Sequence, residues 1–261
     1  MIKLSQRLQT IADRVTPGSR VADIGSDHAL LPVYLVQSGR SPGAIAGELN
    51  TGPFQAAQKQ VASAGLKSAI TVRQGNGLAV LEAGEADTVT IAGMGGVLMA
   101  EILEWGAQNG KLSDVKELVL QPNVGEDVVR QWLTNHGWLL QGETILEEDG
   151  RFYEVLHAQR TDDFARANEA LYDPAFLRRD AQEVELWRGW LYRMGPYSLR
   201  SPSPLLHRKW AFELQKLERI TAQVASSDQP EAIVKAEEFR KEIREIQEVL
   251  ACTPTDRPSF N

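Results

Sequence analysis

The fold follows from one stretch of the sequence, Val21-Ala22-Asp23-Ile24-Gly25-Ser26-Asp27-His28. Its first four residues are typical of a short buried strand, and Gly25 opens the turn behind that strand. In an open α/β sheet, ligands bind outside the carboxyl ends of the strands. We therefore expect this turn, with the acidic residues Asp23 and Asp27, to face a nucleotide-like ligand.

The residues on both sides of this stretch predict a parallel sheet. Before it, the apolar residues Leu4, Leu8, Ile11 and Val15 follow helical spacing. After it, short apolar runs alternate with turns and helical segments, as crossover connections require. We predict strands at residues 20–24, 44–48, 70–74, 88–92 and 117–121, and helices at residues 30–38, 54–64, 96–106 and 126–136. Two more β-rich runs, 138–146 and 153–159, flank an Asp-Gly turn and predict an antiparallel pair at one sheet edge. The result is an α/β fold with a doubly wound, seven-stranded, Rossmann-like sheet.

Beyond about residue 160 the pattern is helical only. Apolar positions repeat at spacings of three and four in two series, which are Trp210, Leu214, Leu217, Thr221 and Val224, then Ala232, Ala236, Phe239, Ile243, Ile246 and Leu250. A turn at residues 226–230 separates them. We therefore predict a ligand-binding domain at residues 1–160 and, at residues 161–261, a small α-helical domain with an antiparallel coiled-coil hairpin.

The composition narrows the class of protein. With 261 residues, 43% of them hydrophobic and 24% charged, the chain is typical of a soluble globular protein. No apolar run approaches the roughly 18 residues that a transmembrane helix needs, so we expect a cytoplasmic protein. The single cysteine, Cys252, excludes an internal disulfide and a Cys-rich zinc site. The net charge of −7 argues at first against binding a polyanion such as RNA.

The acidic residues at the strand ends predict the kind of cofactor. A dinucleotide site has the pattern Gly-x-Gly-x-x-Gly, and here Asp27 occupies the place of the second glycine. A carboxylate there repels a pyrophosphate but tolerates a sulfonium and an amino group, which favours S-adenosylmethionine over NAD. Glu48 can accept hydrogen bonds from both ribose hydroxyls, and Asn76 can accept one from the adenine amino group. The alternative is that Asp23 and Glu48 only cap loops.

One segment of the chain is locally basic. Residues 1–158 hold 12 Lys and Arg against 18 Asp and Glu, whereas residues 178–219 hold nine basic residues, Arg178 and Arg179 among them, against five acidic ones. Tryptophans are interleaved there at helical spacing, which indicates packing rather than base stacking. We therefore predict that Arg188, Arg193 and Arg208 bind RNA phosphates.

A set of motifs resembles the TrmK family, bacterial tRNA methyltransferases that modify N1 of adenine 22. In order, these motifs are Asp23-Ile24-Gly25-Ser26-Asp27-His28, Ala46-Gly47-Glu48, Gly52-Pro53-Phe54, Val72-Arg73-Gln74-Gly75-Asn76-Gly77, Ile91-Ala92-Gly93-Met94-Gly95-Gly96, Leu120-Gln121-Pro122-Asn123 and Leu146-Glu147-Glu148-Asp149-Gly150. The resemblance covers nearly the whole chain. It departs at Gly75-Asn76-Gly77, where the family commonly has Gly-Asp-Gly.

The resemblance implies a class I methyltransferase fold, S-adenosylmethionine as donor and tRNA as acceptor. Apart from the resemblance, we expect no membrane association and no obligate protein partner, with a monomer or weak dimer as the active unit. The residues predicted to bind the cofactor are Asp23, Gly25, Asp27, His28, Glu48, Leu49, Asn76, Gly77, Ala92, Gly93 and Met94. No metal site is predicted.

For the predicted reaction, the enzyme must align the adenine with the methyl group, whereas the adenine needs no activation. Adenine N1 carries an in-plane lone pair that attacks a methyl group without deprotonation. The predicted catalytic residues are Asp27, which stabilises the charge that develops on the base, His28, which orients the base or accepts a proton, and Asn123, which with Gln121 reads a base edge. Two alternatives stay open, namely a methyltransferase acting on a small molecule or protein, and a non-catalytic scaffold with a partner-binding hairpin.

Overall fold

The computed structural model of the chain describes residues 1–177, 183–227 and 229–253. It divides the chain into two compact units, Met1–Leu171 and Tyr172–Asn261. The division lies after a helix, Phe164–Leu171, that follows the last strand and packs on the sheet. The predicted division after residue 160 lies before that helix.

The first unit contains one seven-stranded sheet in the order β3-β2-β1-β4-β5-β7-β6. Its strands are β1 (Val21–Ile24), β2 (Ala44–Glu48), β3 (Ile70–Gln74), β4 (Thr88–Met94), β5 (Glu117–Pro122), β6 (Trp138–Glu148) and β7 (Arg151–Arg160). The first five strands are parallel, while β7 pairs antiparallel with both β5 and β6. The predicted seven-stranded, doubly wound sheet with an antiparallel pair at one edge is confirmed.

The helices of the first unit connect and cover these strands. They are α1 (Gln6–Arg14), α2 (Leu30–Gln37), α3 (Thr51–Ser63), α4 (Gly96–Gln108), α5 (Glu126–Asn135) and α6 (Phe164–Leu171). β1 and β2 are buried along their whole length, as strands covered on both faces are. The core includes Ile11 and Val15 of the first helical stripe, so α1 is part of the fold.

The amino-terminal ends of the strands are joined by a buried carboxylate. Glu117 accepts hydrogen bonds from the hydroxyls of Thr16 (2.6 Å) and Thr88 (2.7 Å), from the Thr16 N–H (3.0 Å), and has His157 Nε2 at 2.8 Å. Burial opposes the ionised form of Glu117, but these partners together lower its pKa to about 2. The ionised carboxylate therefore ties β5 to β4, β7 and the end of α1.

The second unit is helical in its described residues. It contains α7 (Val184–Met194), α8 (Pro196–Arg200), α9 (Pro204–Val224) and α10 (Pro230–Cys252), and α9 packs against α10. Trp187, Trp190 and Trp210 are at most 5% exposed, so the predicted packing role of the tryptophans is confirmed. Within the described ranges, no helix has the length and apolar character needed to cross a bilayer.

Candidate functional site

Five loops meet at the carboxyl edge of the parallel strands and bond to one another through their backbones. The loop after β1 bonds to the end of β2 (Gly25 N–H to Gly47 O, 2.9 Å). The loop after β3 bonds to Glu48 O (2.8 Å), and the loop after β5 bonds to Met94 O (2.8 Å). The predicted cofactor residues on four of these loops, and the predicted Asn123 on the fifth, therefore share one edge of the sheet.

Asp23 lies beneath the first of these loops, buried in the sheet with 4% of its surface exposed. Its carboxylate accepts hydrogen bonds from Ser26 Oγ and Thr90 Oγ1, both at 2.6 Å. Burial raises the pKa of Asp23 to about 6, the nearby charges of Glu48 and Asp27 add to this, and the two hydroxyls oppose it. Asp23 thus joins β1 to its own turn and to β4.

The turn after Asp23 has an unusual backbone. Asp27, His28 and Ala29 all have positive φ, at 29°, 62° and 52°, a conformation that costs an L-residue roughly 1–2 kcal/mol. The side chains of Asp27 and His28 are 83% and 60% exposed, with Asp27 Oδ1 3.6 Å from His28 Nε2. Strain of this kind concentrates at functional sites. The turn therefore presents a carboxylate and an imidazole outward from the sheet edge.

Glu48 holds this turn in place. Its side chain is buried, and its Oε1 accepts the N–H of Asp27 at 2.5 Å. Among the described residues its Oε2 has no hydrogen-bond partner, so this oxygen can accept hydrogen bonds from a ligand. Glu48 is thus both an anchor for the strained turn and an available acceptor.

The loop after β3 borders a small cavity. The cavity has a volume of about 320 Å³, in the range of small-molecule sites, and is lined by Asn76, Gly77, Leu78, Ala79, Leu98, Glu101, Ile102 and Trp105. Asn76 is exposed, and next to it the chain passes through Gly77, whose φ is +53°. Leu49 is 56% exposed, and its carbonyl accepts from Gln74 Nε2 at 3.2 Å.

Gly93 and Met94 form the irregular end of β4 and are counted from here on with the loop after β4. The amides of Gln121 in β5 and of Asn123 just after it bind this segment. Gly93, at φ +78°, donates its N–H to Gln121 Oε1 (3.2 Å), and its carbonyl accepts from Asn123 Nδ2 (2.8 Å). Gln121 is fully buried, so the expectation that its amide reads a base edge is wrong. Asn123 is exposed, but its amide bonds inside the protein.

Sequence reasoning missed two kinds of residue at this edge. Ser26 and Thr90 bind the Asp23 carboxylate, and a hydroxyl residue three positions after Asp23 was a local signal for the first of them. Arg7 reaches Gln121 from α1 with Nη1 2.5 Å from Oε1. Because 114 residues separate Arg7 from Gln121, no local pattern indicated this contact.

The predicted RNA-binding arginines all lie in the second unit. Arg188 pairs with Glu185 (3.2 Å), and Arg193 pairs with Glu242 (2.5 Å) and lies over the Trp190 ring (4.3 Å to its centroid). Arg208 is exposed. Arg178 and Arg179 of the basic segment lie outside the described residues. In the described part of the chain, no group of three or more His, Cys, Asp or Glu residues is arranged to hold a metal ion.

Comparisons with known proteins agree with this geometry. The family model described as "TrmK: tRNA (adenine(22)-N(1))-methyltransferase" matches residues 21–248. The chain is 42% identical over 250 residues to the tRNA (adenine(22)-N(1))-methyltransferase of Bacillus subtilis (strain 168), covering 95% of this chain and 98% of that protein.

Solved structures show the same similarity. The crystal structure of B. subtilis TrmK superposes with a TM-score of 0.80 at 40% identity, covering 96% of this chain and all of that chain. The structure of M. capricolum TrmK in complex with S-adenosyl-homocysteine gives a TM-score of 0.73 at 25% identity and covers 96% of this chain and 99% of that one. A Streptococcus pneumoniae protein in complex with S-adenosyl-L-methionine gives 0.75 at 38% identity, with coverage of 95% and 100%.

Proposed function

The chain belongs to the TrmK family of tRNA (adenine(22)-N(1))-methyltransferases, and we propose that it transfers a methyl group from S-adenosylmethionine to N1 of adenine 22 in tRNA. The observation that carries this proposal is the 42% identity across 95% of the chain. The site supports it independently, because the carboxyl edge of the sheet presents acidic and amide groups suited to a cationic nucleoside cofactor.

The residues present fit S-adenosylmethionine, which supplies an electrophilic methyl group on a positively charged sulfur. Glu48 Oε2 accepts from the ribose hydroxyls, while Oε1 keeps the turn after β1 in place. Asn76 accepts from the adenine amino group beside the cavity. The carboxylates of Asp23, Asp27 and Glu48 make this edge negative, which favours a cation.

The acceptor adenine is proposed to bind between the loop after β4 and the exposed side chains of the turn after β1. Gly93 has no side chain, so the base can approach its backbone closely. The Asp27 carboxylate stabilises the positive charge that develops on the methylated adenine, and the His28 imidazole orients the base or accepts a proton. Asn123 contacts the base next to Gly93. Because N1 lies on the Watson–Crick edge, the adenine must be unpaired before it enters the site.

The experiment that tests this function combines purified protein, S-adenosylmethionine with a labelled methyl group, and an unmodified tRNA transcript with adenine at position 22. We expect labelled N1-methyladenine after nuclease digestion and nucleoside analysis. The matched control is the same transcript with guanine at position 22, which should stay unlabelled. If the protein binds the cofactor but labels neither transcript, tRNA is not its substrate. The alternative of a methyltransferase that acts on a small molecule or a protein would then be favoured.

The second unit is proposed to hold the tRNA. Its supporting features are the local excess of basic residues within 178–219 and the exposure of Arg208. Replacing Arg188, Arg193 and Arg208 by Gln should weaken tRNA binding and reduce the slope of log K against log salt by about 0.7–0.9 for each phosphate that the protein no longer neutralises. The matched control replaces Lys235, Arg240 and Lys241 of α10, which also pair with glutamates. Equal reductions in both triple variants would contradict this location.

We propose that α9 and α10 pair as an antiparallel coiled coil. The two predicted apolar series are buried or half-buried along both helices, and His207 Nε2 near the start of α9 lies 3.4 Å from Thr253 Oγ1, just after α10.

The active unit is proposed to be a monomer or weak dimer without an obligate protein partner, working in the cytoplasm where tRNA is modified. Light scattering at several concentrations measures the oligomeric state.

A further inference from the structure

Arg7 is a cation of α1 that reaches the loop after β4 through a buried amide. Its Nη1 donates to Gln121 Oε1 at 2.5 Å, and the same oxygen accepts the Gly93 N–H at 3.2 Å. A Cβ built on Gly93 would lie 3.4 Å from Arg7 Nη1, so the guanidinium lies directly beside this residue. Arg7 is therefore linked to Gly93 through one shared acceptor.

The orientation of the Gln121 amide is determined by its neighbours. Its Nε2 donates to Pro122 O (2.8 Å) and to Asn123 Oδ1 (3.1 Å), while its Oε1 faces two donors. Exchanging the two ends would place the NH₂ group against the Arg7 guanidinium and the Gly93 N–H, donor against donor. Asn123 completes the network by donating from Nδ2 to Gly93 O (2.8 Å). Both polar backbone groups of Gly93 are thus held by side chains.

Arg7 is itself held from a second direction. Glu148, at the end of β6, accepts the backbone N–H groups of Gln6 (2.5 Å) and Arg7 (3.4 Å) with its two carboxylate oxygens. The Arg7 guanidinium carbon lies 5.4 Å from the centroid of the Tyr153 ring on β7. The first turn of α1 is therefore fixed on the β6–β7 pair. This holds the Arg7 guanidinium next to Gln121 and Gly93.

We propose that Arg7 is a positioning residue for methyl transfer, because through Gln121 and Asn123 it fixes the Gly93–Met94 segment against which the acceptor base aligns. The inference rests on the proposed function for the identity of the acceptor. Without Arg7, the Gln121 oxygen loses its charged donor and the loop samples other positions. A displacement of about 1 Å in an alignment-dependent reaction costs on the order of 100-fold in rate. The cofactor residues Glu48 and Asn76, on other strands, keep their contacts.

The test compares Arg7→Met with Arg14→Met. Arg14 is on the same helix and donates its side-chain hydrogen bond to a different element, from Nη2 to Thr144 Oγ1 of β6 at 2.6 Å. We expect Arg7→Met to lower kcat by about 10- to 100-fold at saturating tRNA and cofactor, with a rise in cofactor Kd clearly smaller than the loss in kcat, because Glu48 and Asn76 keep their contacts while the displaced Gly93–Met94 segment contributes only part of the predicted cofactor site. Arg14→Met should keep the wild-type kcat. Arg7→Lys, which restores one charged donor, should recover part of the loss.

A double variant separates action through Gln121 from direct contact with RNA. If Arg7 acts through Gln121, Arg7→Met combined with Gln121→Met should be no slower than Gln121→Met alone, because interacting residues are not additive. If Arg7 binds a tRNA phosphate instead, the loss appears in KM for tRNA and in its salt dependence, and the two effects multiply. That result would overturn the proposal, as would equal kcat losses in the Arg7→Met and Arg14→Met variants.

A readout without turnover keeps the inference separate from the proposed function. Amide hydrogen exchange at Gly93 should be at least about tenfold faster in Arg7→Met than in wild type or Arg14→Met, since the Gly93 N–H loses its ordered acceptor. An active wild-type enzyme with unchanged kcat and exchange in Arg7→Met refutes the positioning role. A wild-type protein that makes no N1-methyladenine refutes the proposed function, while the exchange result still decides whether Arg7 fixes the loop.

Discussion

Replacing Asp23 by Asn changes the charge beneath the cofactor turn while nearly keeping its shape. Asp23 is buried, and it accepts hydrogen bonds from the hydroxyls of Ser26 and Thr90. Burial raises its pKa from the ordinary value of 3.8 to about 6. An Asn side chain resembles the protonated carboxyl group, with one acceptor and one donor end. The variant therefore represents the low-pH form of the wild-type site at every pH.

The sign of the effect follows from linkage. Because the folded pKa is raised, the protonated Asp23 contributes stability that is fully present below pH 3.8 and is lost as the pH rises to about 6. At about 1.4 kcal/mol per pKa unit, the interval from 3.8 to 6 corresponds to about 3 kcal/mol. Above pH 7, Asp23→Asn should thus be more stable than wild type by up to about 3 kcal/mol, reduced by whatever the amide's weaker hydrogen bonds to Ser26 and Thr90 cost.

Urea unfolding between pH 4 and pH 8 measures this difference. The wild type should lose stability relative to Asp23→Asn as the pH rises to about 6, after which the difference stays constant. Asp27→Asn is the matched control: the Asp27 carboxylate is 83% exposed and its charge is the weakest of the influences on the Asp23 pKa, so the pH dependence should persist in this variant with its midpoint only slightly lower. A difference between Asp23→Asn and wild type that does not vary with pH would refute the reasoning. The variant should also lose affinity for S-adenosylmethionine more than for the neutral S-adenosylhomocysteine.

Three further predictions concern the two ends of the sheet. The ionised Glu117 carboxylate stabilises the wild type above pH 4.5, and this stabilisation is lost as the pH falls towards 2. Glu117→Gln lacks it, so the variant should be less stable than wild type by about 3 kcal/mol already near neutral pH. Acid unfolding followed by circular dichroism measures the difference. Glu48→Ala should reduce S-adenosylmethionine affinity at least about 100-fold in titration calorimetry, because the variant loses the two charge-assisted hydrogen bonds that we propose Glu48 makes to the ribose, and undiminished affinity would remove Glu48 from the site. Asp27→Ala and His28→Ala should bind the cofactor but lower kcat at saturation by about 100-fold or more, and wild-type turnover in both would exclude their assigned roles.

The sheet was predictable because local patterns carry its information. Strands covered on both faces are continuous apolar runs, as β2 is. Both β2 and the edge strand β3 begin and end where the sequence predicts. β4 continues two residues past its predicted end at residue 92, to Met94. There the pairing with β5 shifts register around Gly93, whose φ of +78° breaks the strand pattern while the ladder resumes at Met94. The predicted strand thus ends at residue 92, where the pairing of β4 with β5 becomes irregular.

Residue types at the strand ends also predicted which loops form the site. They did not predict which of its side chains bond within the protein and which stay exposed. A buried Gln121 and an exposed amide look the same in a local window, because the partners that bury Gln121 include Gly93 and Arg7, which lie far from it in the sequence. The left-handed Ala29 was unpredictable for a similar reason. Its residue type disfavours that backbone, which is imposed by burial of its side chain and by the bond from Asp27 N–H to Glu48.

The carboxyl edge of the sheet has two halves that carry different chemical groups, and the boundary between them lies between β1 and β4. On one side, the loops after β1 and β2 carry Asp27 and Glu48, which suit a cationic donor. On the other, the loops after β4 and β5 present backbone and amide groups backed by the cation Arg7, which suit a neutral base on an anionic chain. β1 and β4 are hydrogen-bonded neighbours, and a Cβ on Gly25 would lie 3.1 Å from Met94 Cε. Methyl transfer between a cation and a neutral base needs this boundary, because a carboxylate facing the phosphates or a guanidinium facing the sulfonium would repel its ligand. The net charge of −7 does not conflict with an RNA substrate, since the charge is unevenly distributed and residues 178–219 hold nine basic residues against five acidic ones.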